Sequence, residues 1–272
     1  MKKTLVFHLY ISDDYETNIA YDIHLECLTY FKNAFDSVRF VVALDDLSDA
    51  KKRQFSLDWI SKINFACETE ITFKQNNGFR EAQTFYDKVI LNKEDELVFF
   101  FHIKGVINFT KEDISKDSVF CWICGIYFYG LSKLYSASEL LTSGTRAMCG
   151  AFLVTPESDE SDFAQFYAGA GYWINLRVLH NLIKTGKIPE MELDNRFFAE
   201  NDPGSVLSTF QHYGLEGIGE RMFIYNRRDG TGFYNGSISD WEHMFNLYEY
   251  PQEIKNFIIK IGNKVGFIPF NE

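Results

Sequence analysis

The sequence predicts an α/β fold built on a mostly parallel, doubly wound sheet with flanking helices. Three observations carry that reading. Over the first hundred residues, short apolar runs alternate with stretches whose apolar residues recur at helical spacing. One run, Leu97-Val98-Phe99-Phe100-Phe101, is apolar at every position, as in a strand covered on both sheet faces. Polar clusters follow directly on the strand-like runs, where ligands bind in open parallel sheets.

Taken in order, residues 4–10 form a β-branched and aromatic run that ends at Ser12-Asp13-Asp14, the first strand. Ile19, Ile23, Cys27, Phe31 and Phe35 then recur every four residues, one face of a helix. Residues 39–44 make a second strand, stopped by Asp45-Asp46, and residues 49–63 a helix with Phe55, Trp59, Ile60 and Ile63 on one face. A third strand over 70–74 runs into the turn Asn76-Asn77-Gly78, and Ala82, Phe85, Tyr86, Val89 and Ile90 mark the next helix. The fourth strand spans 96–101.

After Gly105 the pattern loosens. The spacing predicts a long aromatic-rich helix over 114–134, a strand over 148–155 and an acidic loop over 156–162. An aromatic segment over 166–174 holds Gly169 and Gly171, a helix follows over 175–185, and residues 194–203 are rich in polar groups. The stretch 240–261 reads as helical. The expected organisation is one domain over 1–235 with a helical tail, 236–272, packed on it.

Composition narrows the function classes. With 272 residues, 46% of them apolar, the chain can bury a full core, which excludes disorder as its default. Its 27 Lys and Arg against 38 Asp and Glu give a net charge of -11. That excludes a general binder of nucleic acid or anionic membrane, which needs clustered cations. A small anionic ligand held at one local site stays open. Cys27, Cys67, Cys121, Cys124 and Cys149 are an odd set in a chain too large for a disulfide scaffold, so a reducing, cytoplasmic location is expected. Cys121-Trp-Ile-Cys124 has no second pair, lies in the apolar run 119–131, and reads as two buried structural thiols. That run is shorter than the ~20 residues needed to cross a bilayer, and no transmembrane segment is expected. The start imitates a secretory signal, but His8 interrupts it and no small-residue cleavage site follows.

Four polar clusters fall after the strands: Ser12-Asp13-Asp14, Asp45-Asp46, Asn76 to Glu81 and His102 to Gly105. Each has a plain reading, as a helix cap, a solvated turn or a core histidine. Together they would ring one crevice. His102 and Lys104 end an apolar strand and alternate to the same side, with Ile103 on the other. A lysine there offers a point charge to an anion and the histidine a hydrogen-bond donor, while Gly105 lets a ligand approach the backbone. The alternative for Lys104 is a side chain reaching out of the core into water.

The order of these parts resembles the nucleotide-sugar-dependent glycosyltransferases of the GT-A fold, over roughly residues 3–210. RFVVALDDLSD, 39–49, looks like the second strand and Asp-Asp-x-Ser-x-Asp turn of family 2 glycosyltransferases, where an aspartate of the turn contacts the nucleoside. NNGFREAQTFYDKVI, 76–90, is similar to that fold's Asn-x-Gly loop and helix. ELVFFFHIKGV, 96–106, stands where Asp-x-Asp is usual and resembles the His-Thr-Lys segment of bacterial capsule and rhamnan-synthesis glycosyltransferases, with Ile103 in place of Thr. Ala168-Gly-Ala-Gly-Tyr-Trp173 is similar to a Gly-x-x-Trp acceptor-side strand, and DNRFFAEND, 194–202, to the Arg-x-x-(Ala)-Glu segment near the catalytic acid motif.

The resemblance implies a GT-A-like fold and a glycosyltransferase of the hexosyl or deoxyhexosyl class, in polysaccharide biosynthesis, with a nucleoside-diphosphate sugar as donor and a glycan or other hydroxyl acceptor. It implies donor contacts at Asp45, Asp46, Asn77, Gly78, Arg80, His102 and Lys104, and acceptor stacking at Tyr172 and Trp173, which can equally be core aromatics. Glu200 is the expected general base and Asp202 the second choice, since Asp202 before Pro203 also suits a helix cap. His-x-Lys cannot supply the carboxylate oxygens a divalent Mn or Mg ion wants. Metal-independent transfer is therefore expected, with Lys104 neutralising the leaving diphosphate, and no resident cofactor; Asp45 or Asp46 could still hold a loosely bound ion. The alternative is a non-catalytic protein of this fold that binds a glycan or a partner. A nucleotidyltransferase is disfavoured, because residues 4–15 contain no Gly-rich basic loop.

Overall fold

The computed structural model describes residues 1–76, 80–103, 105–106, 108–110, 116–132, 134–142, 148–150, 153–154, 166–167, 171–185, 212–214 and 251–267. Strand β1 (Lys2–Tyr10) leads to α1 (Ile19–Phe31), β2 (Ser37–Leu44), α2 (Ala50–Ile63) and β3 (Glu68–Gln75). Helix α3 (Arg80–Phe85) continues as a π-helical stretch, Tyr86–Ile90, before β4 (Glu96–His102). Next come α4 (Lys116–Ser132), α5 (Leu134–Thr142), β5 (Met148–Gly150), β6 (Leu153–Val154), β7 (Phe166–Tyr167) and β8 (Tyr172–Asn175). The described chain closes with α6 (Leu176–Lys184), β9 (His212–Gly214) and α7 (Pro251–Val265).

The main sheet has the order β3-β2-β1-β4-β8-β5-β9. β1 pairs in parallel with both β2 and β4, and β2 with β3, whereas β8 runs antiparallel to its neighbours β4 and β5. β5 and β9 are parallel, so β8 alone runs against the other six strands of this sheet. The α/β class and the mostly parallel sheet with flanking helices are as the sequence predicts, a Rossmann-like architecture.

Two cores follow from strand alternation. Leu5, Phe7, Leu9, Phe40, Phe99 and Phe101 point to the face covered by α1, α2, α4 and α7. Val6, Val98 and Phe100 point to the other, covered by Phe85 and Val89 of the α3 segment and Leu176 and Leu179 of α6. β4 is buried at every position, as its unbroken apolar run requires. Helix α7 packs on α1 and α4: the Phe257 ring lies 4.9 Å from Tyr30 and 5.7 Å from Phe128, and Lys264 bonds Glu26 at 2.5 Å.

Several expectations are refined. The helix read over 82–90 is an α-helix followed by a π turn, closed by the Leu91 amide donating to the Tyr86 carbonyl at 3.0 Å. The wider turn keeps Phe85 and Val89 in the core while Lys88 reaches Glu70 and Asp87 reaches Lys74. The long helix is α4, and a second helix, α5, follows it, burying Ala137 and Leu141 at i, i+4. The single strand expected over 148–155 is two: β5 joins the main sheet and β6 pairs with β7 in a separate ribbon. Residues 194–203 and 240–250 lie outside the described set. Cys121 and Cys124 are buried in α4 as expected, and burial first, then the neighbouring Cys27, pushes the Cys124 thiol well above its usual range. Among the described residues no helix is long and apolar enough to cross a membrane.

At the amino ends of the strands, Arg39 donates to both carboxylate oxygens of Glu96 at 2.8 and 3.0 Å, and the Glu96 side chain is only 2% exposed. Removing one partner of such a buried pair strands the other charge. Arg39→Ala should therefore cost about 3–5 kcal/mol, read from urea unfolding at neutral pH. A loss below about 1 kcal/mol, the range of surface pairs, would show that water already screens Glu96.

Candidate functional site

The chain winds from β1 outward to β2 and β3, then returns to place β4 on the other side of β1. That reversal makes the carboxyl ends of β1 and β4 the topological switch point, where open α/β sheets hold ligands. The main-chain ladder continues past these ends: Ile11 donates to Ala43 at 3.1 Å, Asn76 to Leu44 at 2.7 Å, and Ile103 to His8 at 2.9 Å.

Asp45, just after β2, is an exposed carboxylate fixed from both neighbouring strands. The Tyr10 hydroxyl donates to its Oδ2 at 3.0 Å and the Asn76 amide to its Oδ1 at 2.8 Å. Asp46 instead turns onto Ser48, accepting from its backbone N–H and hydroxyl at 2.7–2.8 Å, and these bonds hold its carboxyl below the usual range. Asp49 caps α2, accepting from the amides of Lys51 and Lys52 at 3.0 Å.

The loop after β1 is also built of polar groups. Tyr21 of α1 reaches back to it, donating to the Tyr10 carbonyl and accepting from the Ser12 amide, each at 2.9 Å. Burial pushes the Tyr21 phenol up to about 12, against the hydrogen bonds from Ser12. The Ser12 hydroxyl donates to Asp14. Lys52, whose side chain is 9% exposed, donates to the 97% exposed Asp13 at 2.6 Å, and that bond and charge hold the Asp13 carboxyl below the usual range. Asn18 caps α1 and donates to Asp14 and to the Val106 carbonyl beyond β4.

His102 closes β4 on the α3 side, 8% exposed, in register with His8 of β1. His8 Nδ1 and the Thr84 hydroxyl of α3 lie 2.8 Å apart, tying that helix to the sheet beside His102. Ile103 faces the opposite core, as alternation requires. Gly105 has φ +87°, and a Cβ there would come within 2.9 Å of Val119, so this turn admits glycine and little else.

Of the residues singled out by sequence, the structure therefore brings Asp45, Asp46 and His102 to the carboxyl edge. Arg80 opens α3, while Asn77, Gly78, Lys104, Glu200 and Asp202 lie outside the described residues. The acceptor reading of Tyr172 and Trp173 needs correction. Both are core residues of β8, Tyr172 packed with Phe85 and Phe100 and Trp173 donating to the Gly130 carbonyl at 2.7 Å, which leaves no open ring face for a sugar. Sequence reasoning missed Tyr10, Asn18 and Thr84. Of these, Asn18 had a signal: an Asn directly before a helical apolar repeat. Among the described residues, no group of three or more His, Cys, Asp or Glu side chains is placed to hold a metal ion.

No family model and no curated protein matches the chain. Among solved structures, the crystal structure of S. aureus TarS 1–349 aligns over 97% of this chain and 71% of that one, at 12% identity and a TM-score of 0.37. At that score the likeness carries no weight, and the fold rests on strand order and register.

The Lys52–Asp13 pair gives a direct test of the loop's construction. Asp13→Ala should lower the melting temperature by leaving the Lys52 ammonium buried without its carboxylate, and adding Lys52→Met should recover the loss. A double variant that melts below the single one would mean that Lys52 serves another partner.

Proposed function

We propose that the protein is a glycosyltransferase that moves a sugar from a nucleoside-diphosphate sugar to a glycan or other hydroxyl acceptor. The observation that carries the reading is the Asp45 carboxylate, held by Tyr10 and Asn76 at the strand ends, one strand from the β1–β4 switch point where His102 sits. An oriented, exposed carboxylate suits the N–H and hydroxyl donors of a nucleoside, and the crevice beside it suits the attached diphosphate.

In the reaction, the bond from the anomeric carbon to the diphosphate oxygen breaks and a bond to the acceptor oxygen forms. The leaving diphosphate gains negative charge, which Lys104, two residues after β4 in sequence, would neutralise as a point charge. Glu200 would take the acceptor proton, with Asp202 the alternative base. A divalent ion on the diphosphate, usual in this fold, does not fit the residues here. The position of the usual carboxylates carries His102, already buried beside His8, and Lys104 in sequence, and neither offers a hard oxygen.

Thermal-shift measurements with UDP-, GDP-, CMP- and dTDP-sugars test the reading, since a ligand of the native state raises the melting temperature. A shift with one of them is expected, and chelator should leave transfer largely intact. No shift with any donor would favour a non-catalytic binding protein. Complete loss on chelation, reversed by manganese, would return attention to Asp45 and Asp46.

Two substitutions separate the roles. Lys104→Ala should weaken nucleoside-diphosphate binding far more than nucleoside binding; equal weakening would make Lys104 structural. Glu200→Gln should leave donor affinity near normal while turnover falls by roughly 10²–10⁴-fold. Near-normal transfer by that variant, beside an inactive Asp202→Asn, would move the base to Asp202.

A further inference from the structure

We infer that Asn18 is a positioning residue for the donor: its amide fixes the spacing between the two loops that flank the switch point. The inference rests on the nucleotide-sugar reading for the identity of the ligand. Asn18 is 6% exposed and every hydrogen-bonding group of its side chain faces a named partner. Its Oδ1 accepts from the Ala20 amide at 3.1 Å, capping α1. Its two Nδ2 hydrogens go to Asp14 Oδ2 at 2.9 Å, within the loop after β1, and to the Val106 carbonyl at 2.7 Å, in the turn after β4.

A cap needs only the acceptor. The two donor bonds do something else. The Val106 bond spans the reversal in the chain path and joins residues 88 apart, while the Asp14 bond ties the same amide into the loop after β1. On the β4 side the joined turn is already stiff, because Gly105 sits at positive φ against Val119 and Ile123, and Phe109 donates to the Gly105 carbonyl at 2.9 Å. On the β1 side Asp14 accepts from Ser12 and, through its carbonyl, from the Thr17 and Asn18 amides at 3.0 Å. Two preformed loops are thus held at a set separation by one buried amide. The turn at Gly105-Val106, directly beyond His102, takes its position relative to the β1 loop from that amide.

Two variants keep the cap and remove the span. Asn18→Ser retains an acceptor for Ala20 but cannot reach Val106. Asn18→Asp keeps size and acceptor but sets a carboxylate against Asp14 and a carbonyl. Asn18→Ser should melt a few degrees lower, because it keeps the cap but leaves the Val106 carbonyl unpaired, and Asn18→Asp lower still at neutral pH, where two carboxylates face each other. In both, amides in the peptide 103–109 should exchange with deuterium about tenfold faster. Affinity for UDP, GDP, CDP or dTDP, whichever the unsubstituted protein binds, should fall about tenfold, the scale of one hydrogen bond. Unchanged exchange and unchanged affinity would reduce Asn18 to a cap, and faster exchange with unchanged affinity would overturn the positioning role. If the unsubstituted protein binds none of these nucleotides, the nucleotide reading falls, while the exchange measurement still decides whether Asn18 holds the loops.

Discussion

Burial of the β1–β4 pair on both faces is the constraint from which the rest of the molecule follows. Every residue of β4 from Glu96 to His102 is buried, and β1 is buried from Thr4 to Leu9. Within such a pair a polar group costs several kcal/mol unless a partner meets it. The polar side chains are therefore pushed to the two ends. Thr4 meets Ser37 at 2.8 Å and Glu96 meets Arg39 at one end, while His8 meets Thr84 beside His102 at the other. The middle is left to Phe99, Phe100 and Phe101, which pack edge-on and tilted against Tyr127, Phe85 and Trp173.

The two ends differ in what they leave over. At the amino end the charges satisfy one another: Arg39 serves Glu96, Glu94 and Glu70, and Lys88 also bonds Glu70. That cluster is a closed set, suited to holding β1, β2, β3 and β4 in register. At the carboxyl end Asp13, Asp45 and Asp46 are all exposed, and their protein partners orient them without covering them. The same chain thus carries a stitched edge and an open one, and only the open one lies at the reversal of the winding.

Much of this was legible in the sequence because it depends on local period. Alternation fixed which side of β4 takes His102 and which takes Ile103, and the four-residue repeat from Ile19 located α1. What escaped depends on contacts distant in sequence. Nothing local distinguishes Tyr10 as the donor to Asp45, 35 residues away, or Thr84 as the partner of His8, 76 residues away. Residues 148–155 read as one apolar run, yet β5 and β6 belong to different sheets, a choice made by the strands available to pair with them. The π turn at Tyr86–Ile90 carries salt bridges to β3, Asp87 to Lys74 and Lys88 to Glu70, which periodicity does not encode.

Tyr172 and Trp173 show why a motif can mislead even when its strand is placed well. They stand on β8, the antiparallel member inserted between β4 and β5. A strand there is covered on both faces, so alternation sends Tyr172 to Phe85 and Phe100 and Trp173 to Phe99 and Phe35. The next polar residue, Asn175, is bound as well: its amide donates to the Leu141 carbonyl of α5, and its oxygen caps α6 by accepting from the Val178 amide at 3.3 Å. The Trp173 indole bond to Gly130 adds a tie to α4. Exposing either aromatic ring would mean lifting β8 from two strands and both helical layers together. An acceptor platform in this fold has to be made by other residues than these two, while β8 serves to seat the far half of the sheet on β4.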